Sequence, residues 1–222
     1  MKTHNRIIGV LAIMAMVLVP FTPAYAANSL DSNSSGSKIK LDNIYVNTEY
    51  KSENIIVDRS KTQNGIEVTV KDKMTGKVLD VWGEKKIKST QISPDYVGTM
   101  DRLIYHDKTV GPIKTRLNAV LELYQYDSFV QINRVKEMYW EEMSSGNWNI
   151  QNGHTDSHMK STPGTSVDLS GTATAVITTT TSTTGSFSIS ALQQLGFTLQ
   201  NSSGSTYYAR KHLTDNFSYS VM

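Results

Sequence analysis

Residues 170–190 read SGTATAVITTTTSTTGSFSIS. Thirteen of these twenty-one are serine or threonine, and parity sorts them. Thr172, Thr174, Thr178, Thr180, Ser182, Thr184, Ser186, Ser188 and Ser190 hold even positions, broken only by Val176. Ala173, Ala175, Ile177, Phe187 and Ile189 hold odd ones, continued by Ala191. A period of two means extended strand, with one hydrated face and one modestly apolar face. TSTTG at 181–185 supplies turn residues, so the stretch predicts a hairpin with arms 172–180 and 184–192.

Strand signals continue on both sides. Downstream, Ser190 and Gln193 have capping-box spacing, ALQQL follows and Gly196 can stop a helix, which predicts one short helical interruption. FTLQ, STYYARKHL and NFSYSVM then read as separate strands, the last with Phe217, Tyr219 and Val221 on one face. Upstream, KTRLNAVLELYQYDSFVQINRVKEMYW (114–140) reads as a long hairpin. Leu117, Ala119, Leu121 and Leu123 share one parity, Asp127-Ser128 makes the turn, and Val130, Ile132, Met138 and Trp140 share a parity on the return. A helix over 131–143 is the rival. GIEVTVKDKMTGKVLDVWGE (65–84) is a second hairpin, and ENIIVD (53–58) a strand before it. Ser93-Pro94-Asp95 looks like a helix start, so DYVGTMDRLIYHD (95–107) is expected to be a short helix.

Eight to ten strands with short polar turns predict an all-β protein: an antiparallel β-sandwich or flattened barrel, with one or two short helices. The expected organisation is a signal peptide over 1–26, a disordered Ser/Asn/Gly tether over 27–38 and a single β-rich domain over 39–222. The first segment carries Lys2 and Arg6, then an apolar run of fourteen, then Ala24-Tyr25-Ala26, a small-x-small cleavage pattern. The run is short of the roughly 20 residues of a spanning helix. Export with cleavage after Ala26 is therefore expected, and with it a secreted, extracellular location.

Lys2 and Arg6 are the only charged residues among the first 26, so the remainder carries 20 basic and 20 acidic side chains. A neutral balance argues against nucleic acid as a partner. There is no cysteine, hence no thiol nucleophile, thiolate metal site or disulfide. A cysteine-free exported chain of this build fits a bacterium.

TRLNAVLELYQYDSFVQINRVKEMYW, the Thr/Ser stretch and STYYARKHL resemble segments of small exported β-proteins of Gram-positive bacteria that have no assigned activity. The resemblance covers residues 114–222. It implies secretion and a β fold, and brings no catalytic motif.

The chemistry is sparse. NGHTDSHMKSTPG (152–164) places His154, Asp156 and His158 together. At this spacing a helix would set two imidazoles on one side for zinc or copper, with Asp156 as a third ligand and His106 or His212 as a fourth. Asn152-Gly153 and Thr162-Pro163-Gly164 instead punctuate a polar loop, and the HExxH signature is absent. No DxDxDG calcium loop and no GxSxG elbow occurs. Glu141 and Glu142 flank Trp140, but neighbours on a strand face opposite ways and cannot form a carboxylate pair. Aromatic side chains offer more. Trp140, Trp148, Tyr207 and Tyr208, with Trp82 and Tyr139, are candidates for a platform stacking on sugar rings.

Three function classes follow. The leading one is a non-enzymatic secreted protein that binds cell-envelope or extracellular glycan and needs no cofactor. The second is a membrane-active or pore-forming β-protein that inserts the uncharged hairpin 172–192. The third is a metal-dependent hydrolase built on His154 and His158. A long uncharged edge at 172–192 is also prone to self-pairing, which leaves oligomers open.

Overall fold

The computed structural model describes residues 36–87 and 98–221. The signal-peptide reading and most of the tether reading fall outside them. The end of the tether is already part of the fold: the Ser37 amide donates to the Tyr50 carbonyl, and the first strand opens at Lys38.

Twelve strands and one short α-helix follow in order: β1 (Lys38–Lys40), β2 (Tyr45–Asn47), β3 (Ile55–Thr62), β4 (Gly65–Asp72), β5 (Val78–Lys86), β6 (Gly98–Val110), β7 (Ile113–Tyr126), β8 (Phe129–Glu142), β9 (Trp148–His158), β10 (Ser166–Thr180), α1 (Ile189–Gln194), β11 (Thr198–Ser203) and β12 (Thr206–Ser220). They form two antiparallel sheets. Sheet A runs β1-β2-β12-β10-β9, with β11 on the free half of β12; sheet B is the meander β3 to β8. β8 and β9, the last strands of the two sheets, lie side by side without pairing, so the fold is a sandwich of two open sheets.

The alternation in the sequence sets which face is buried. On β10 the odd positions Val167, Leu169, Ala173, Ala175 and Ile177 are buried, and the hydroxyl-bearing even positions are not. Phe217, Tyr219 and Val221 are buried as their parity predicts. On β7, Leu117, Ala119, Leu121 and Leu123 stand opposite Trp140, Met138, Val135 and Ile132 of β8. Keeping apolar side chains inward at 132, 135 and 138 requires two extra residues, Lys136 and Asn133, each an unpaired bulge in β8. The 131–143 helix is not formed.

Three expectations are corrected. Residues 98–107 are strand β6, not helix: Met100, Arg102, Ile104 and His106 alternate inward. Two of those four are charged or polar, which hides the period of two; residues 95–97 lie outside the described residues. The hairpin 172–192 does not form. β10 is a central strand paired with β12 and β9, and residues 184–192 turn into a 3-10 turn and α1. Ser188, not Ser190, caps α1 by accepting from the Ala191 amide, and Gly196, at φ 79°, closes it. The insertion ribbon and the uncharged free edge are thus absent as structural units. STYYARKHL and NFSYSVM are one strand, β12, rather than two.

Two apolar clusters fill the sandwich. One gathers Val46, Val68, Trp82, Ile104, Leu121, Leu169, Phe217 and Tyr219 among others; the second gathers Ile113, Trp148, Ala175, Ile177, Leu192 and Phe197. Along β12 the boundary falls between Leu213 and Phe217, where Asp215 points inward.

Candidate functional site

The unpaired seam between β8 and β9 opens as a cleft of about 610 Å³. Both its ends are pinned. At one end Ile132 and Gly164 exchange two backbone hydrogen bonds of 2.8 and 2.9 Å. At the other the Ile150 amide donates to Glu142 Oε1 at 2.8 Å. Between them Met138, Trp140 and Ile150 form an apolar lining, and Tyr139, Glu141 and Glu142 supply polar groups from β8. The β9 side presents Gly153 and Thr155.

Gly153 belongs to a bulge. Thr172 faces His154 and Thr174 faces Gln151, so Asn152 and Gly153 share one partner, with Asn152 at φ 52°. A Cβ on Gly153 would stand 3.2 Å from Trp140 Cδ1, so the glycine keeps β9 off the indole. Gly171 does the same from β10, where a Cβ would stand 3.0 Å from Trp140 Cζ2. The indole Nε1 is buried without a hydrogen-bond partner among the described residues. Tyr139 is 38% exposed on the outer side of the strand. Burial, then the nearby Glu141 and Glu137 charges, raises its phenol pKa, so it stays a donor. Asn118 Nδ2 holds Glu141 Oε2 at 3.0 Å.

The aromatic candidates do not form one platform. Trp140 lines this cleft. Trp148 is buried in the second core, its Nε1 donating to the Ser144 carbonyl at 3.1 Å. Tyr208 lies on the outer face of sheet A, beside a different hollow, and Tyr207, its neighbour on the strand, faces the other way. Trp82 is core.

His154, Asp156 and His158 sit on a strand rather than in a loop. They share the outer face of β9 opposite Thr172, Ser170 and Asp168, and all three are exposed. Four residues along a strand span about 13 Å with side chains standing parallel. That is far beyond what two imidazoles around one ion allow, given bonds of about 2 Å. No group of three or more His, Cys, Asp or Glu arranged to hold a metal occurs among the described residues. His106 cannot serve as a fourth ligand, because both its ring nitrogens are engaged inside the sandwich.

His106, named in sequence only as a spare metal ligand, instead joins the two sheets. Its Nδ1 lies 2.9 Å from both oxygens of Asp215 on the opposite sheet, and its Nε2 lies 2.7 Å from Asp80 Oδ1 on β5. Trp82 stacks on it at 5.0 Å and 12°, and Phe217 meets it edge-on. The Tyr50 hydroxyl donates to the other oxygen of Asp80, and Lys108 Nζ lies 3.6 Å from Asp215. Burial alone would lower the imidazole pKa. The hydrogen bonds that the ring donates to the two carboxylates, and their charges, outweigh it and push it up to about 9. This group ties the sheets together; neither hollow reaches it.

A second polar cluster lies on the outer face of sheet B. The Tyr105 ring covers Gly83, its partner across the strands, and Arg116 stacks 3.6 Å from that ring. Asp107 holds Arg116 and Lys114. Burial would raise the Asp107 carboxyl pKa, but those two cations keep it below the usual range. The cluster ends at Asn118 and Glu141, on the rim of the cleft.

No family model matches the chain, no curated protein matches its sequence, and no solved structure matches its fold. Among the described residues no helix is long and apolar enough to cross a membrane.

Proposed function

We propose that the protein is exported and binds cell-envelope or extracellular glycan in the β8–β9 cleft, without catalysing a reaction on it. The observation that carries this reading is the pairing of an indole with polar groups along one open seam. Trp140 lines the cleft, and Tyr139, Glu141 and Glu142 offer a phenol and two carboxylates. Sugars present C–H faces that pack on aromatic rings and hydroxyls that need acceptors, which is what this lining supplies. The carboxylates favour binding over hydrolysis. Glu142 is committed to the Ile150 amide and Glu141 to Asn118, so each is an oriented acceptor rather than a free acid or base.

The test is co-sedimentation of the purified protein with purified cell wall and with its released neutral polysaccharide. Tyr139→Ala and Gly153→Val, which fills the space over Trp140, are each expected to weaken binding at least tenfold while circular dichroism stays unchanged. If the wild type does not sediment, or if both folded variants sediment as well as it does, the reading fails.

A further inference from the structure

We propose that the outer face of sheet A carries a second, separate site, which takes the carboxylate of an acidic sugar on Arg210. A hollow of about 470 Å³ opens there, clear of the β8–β9 cleft. Its geometry follows from the register of three strands. Asn149 of β9, Val176 of β10 and Arg210 of β12 form one row across the sheet. Thr178 and Tyr208 form the next row, and Gln151 stands beside Asn149 on the same face. Strands are about 4.8 Å apart, so Asn149 and Arg210 stand about 10 Å from each other across the short side chain of Val176. A small apolar residue between two longer polar ones makes the depression. Val176 is 5% exposed and forms its floor.

The electrostatics are simple. Arg210 is the one charged group lining the hollow, and the 41 residues from Leu169 to Ala209 carry no charge at all. A guanidinium has five donors and no acceptor. Among the described residues Gln200 is its single hydrogen-bond partner, accepting from Nη1, and the Tyr208 ring lies 5.5 Å away. The head is therefore oriented from one side, with most of its donors left for a ligand. No carboxylate lines the hollow to neutralise it. One planar cation, with no lysine in the lining and the adjacent Lys211 turned to Leu195 and Phe197, fits a singly charged oxyanion held by two parallel bonds.

The rest of the lining fits a sugar carrying that anion. Asn149 and Gln151 both donate and accept, as sugar hydroxyls require, and Gln151 Nε2 donates to Asn149 Oδ1 at 3.4 Å. Thr178 adds a hydroxyl, while Val176 and the Tyr208 ring offer apolar surface to C–H groups. A phosphodiester in a polyol-phosphate polymer carries the same single charge. The carboxylate is the better match to a flat guanidinium with amides on the opposite wall.

The inference stands on this hollow alone and does not depend on the β8–β9 cleft. The experiment is titration calorimetry of the purified protein with three probes: α-galacturonic acid trimer, its methyl ester and a glycerol-phosphate oligomer. The acid trimer is expected to bind, with the methyl ester at least tenfold weaker. Arg210→Gln should weaken the acid trimer at least tenfold and leave the methyl ester unchanged. Arg210→Lys should recover only part of the loss. Tyr139→Ala, in the other cleft, should leave acid binding as it is, so the two sites fail separately. Equal binding of acid and ester, or an unaffected Arg210→Gln variant, would overturn the site. Tighter binding of the glycerol-phosphate oligomer, lost in Arg210→Gln, would overturn the carboxylate assignment.

Discussion

The stability of this fold should fall as pH rises through the weakly alkaline range, and His106 is the reason. Both of its ring nitrogens face carboxylate oxygens, at 2.7 and 2.9 Å. A carboxylate only accepts, so both nitrogens must donate, and that requires the imidazolium. Neutralising it would leave a bare ring nitrogen against a buried carboxylate. The folded pKa of about 9 against an ordinary 6.5 expresses the same preference. Below pH 6.5 the ring is protonated in folded and unfolded chains alike, and its contribution is fully present. Between 6.5 and 9 the unfolded chain has released the proton while the folded chain keeps it. Stability therefore drops by up to about 1.4 kcal/mol per pH unit for this one group, about 3 kcal/mol in all. His106 is 4% exposed, so solvent screens little of this. The assay is urea unfolding of the wild type and of His106→Gln from pH 6 to pH 10. The wild type should lose stability across the window, and the variant should start lower and stay nearly flat. Equal slopes in the two proteins, or an NMR titration placing His106 near 6.5, would refute the reasoning.

Two further predictions concern the sheets. Gly83→Ala places a Cβ 2.0 Å from Tyr105 Cζ, so the ring must shift, which disturbs its stacking with Arg116 and its hydroxyl's hydrogen bond to Glu67. The cost should be about 1–3 kcal/mol by urea unfolding, and adding Gly83→Ala to Tyr105→Ala should cost much less, because the clash is then gone. Glu84→Gln weakens a buried acceptor that takes the Asp42 and Asn43 amides at 2.9 Å and Asn43 Nδ2 at 2.8 Å, beside Arg102 at 3.2 Å. A loss of about 2–3 kcal/mol is expected, with faster hydrogen exchange at those two amides; unchanged exchange would count against the role given to Glu84.

What was legible in the sequence is what a period of two can encode. The apolar positions of β7, β10 and the end of β12 that share one parity are buried as it predicts, though Arg116, Asn118 and Val176 are buried on the opposite face. Legibility fails where an inward position is polar. β6 carries Arg102 and His106 inward, Arg102 against Glu84 of the neighbouring β5 and His106 between Asp80 of β5 and Asp215 of the distant β12, and without them its alternation would have been plain. It fails again at residues 184–192. There Phe187, Ile189 and Ala191 suit a strand, while Ile189, Leu192 and Leu195 suit a helix. A run that short does not separate the two periods. Packing decides: Leu192 and Phe197 complete the second core, and Thr179 Oγ1 bonds the Phe187 carbonyl. The candidate site was half legible. Trp140, Tyr139 and the two glutamates stand out by type, but Gly153 is informative only once its bulge is seen.

The choice between sandwich and flattened barrel and the position of the candidate site are one question. Sheets A and B lie side by side at β8 and β9, and a barrel would need pairing there as well as between the opposite edges, β1 and β3. β8 carries bulges at Asn133 and Lys136, and β9 carries one at Asn152-Gly153. Bulges twist a strand and break its ladder, so two such edges cannot keep a common register. The seam is held at its ends by Ile132 with Gly164 and by Glu142 with the Ile150 amide, and is left open between. The indole of Trp140 fills the gap from below, because Gly153 and Gly171 leave it room. Replacing either glycine would press on the same ring. The irregularities that keep β8 and β9 from pairing are therefore the features that leave an aromatic lining beside carboxylates, and the cleft exists because these two edges do not match.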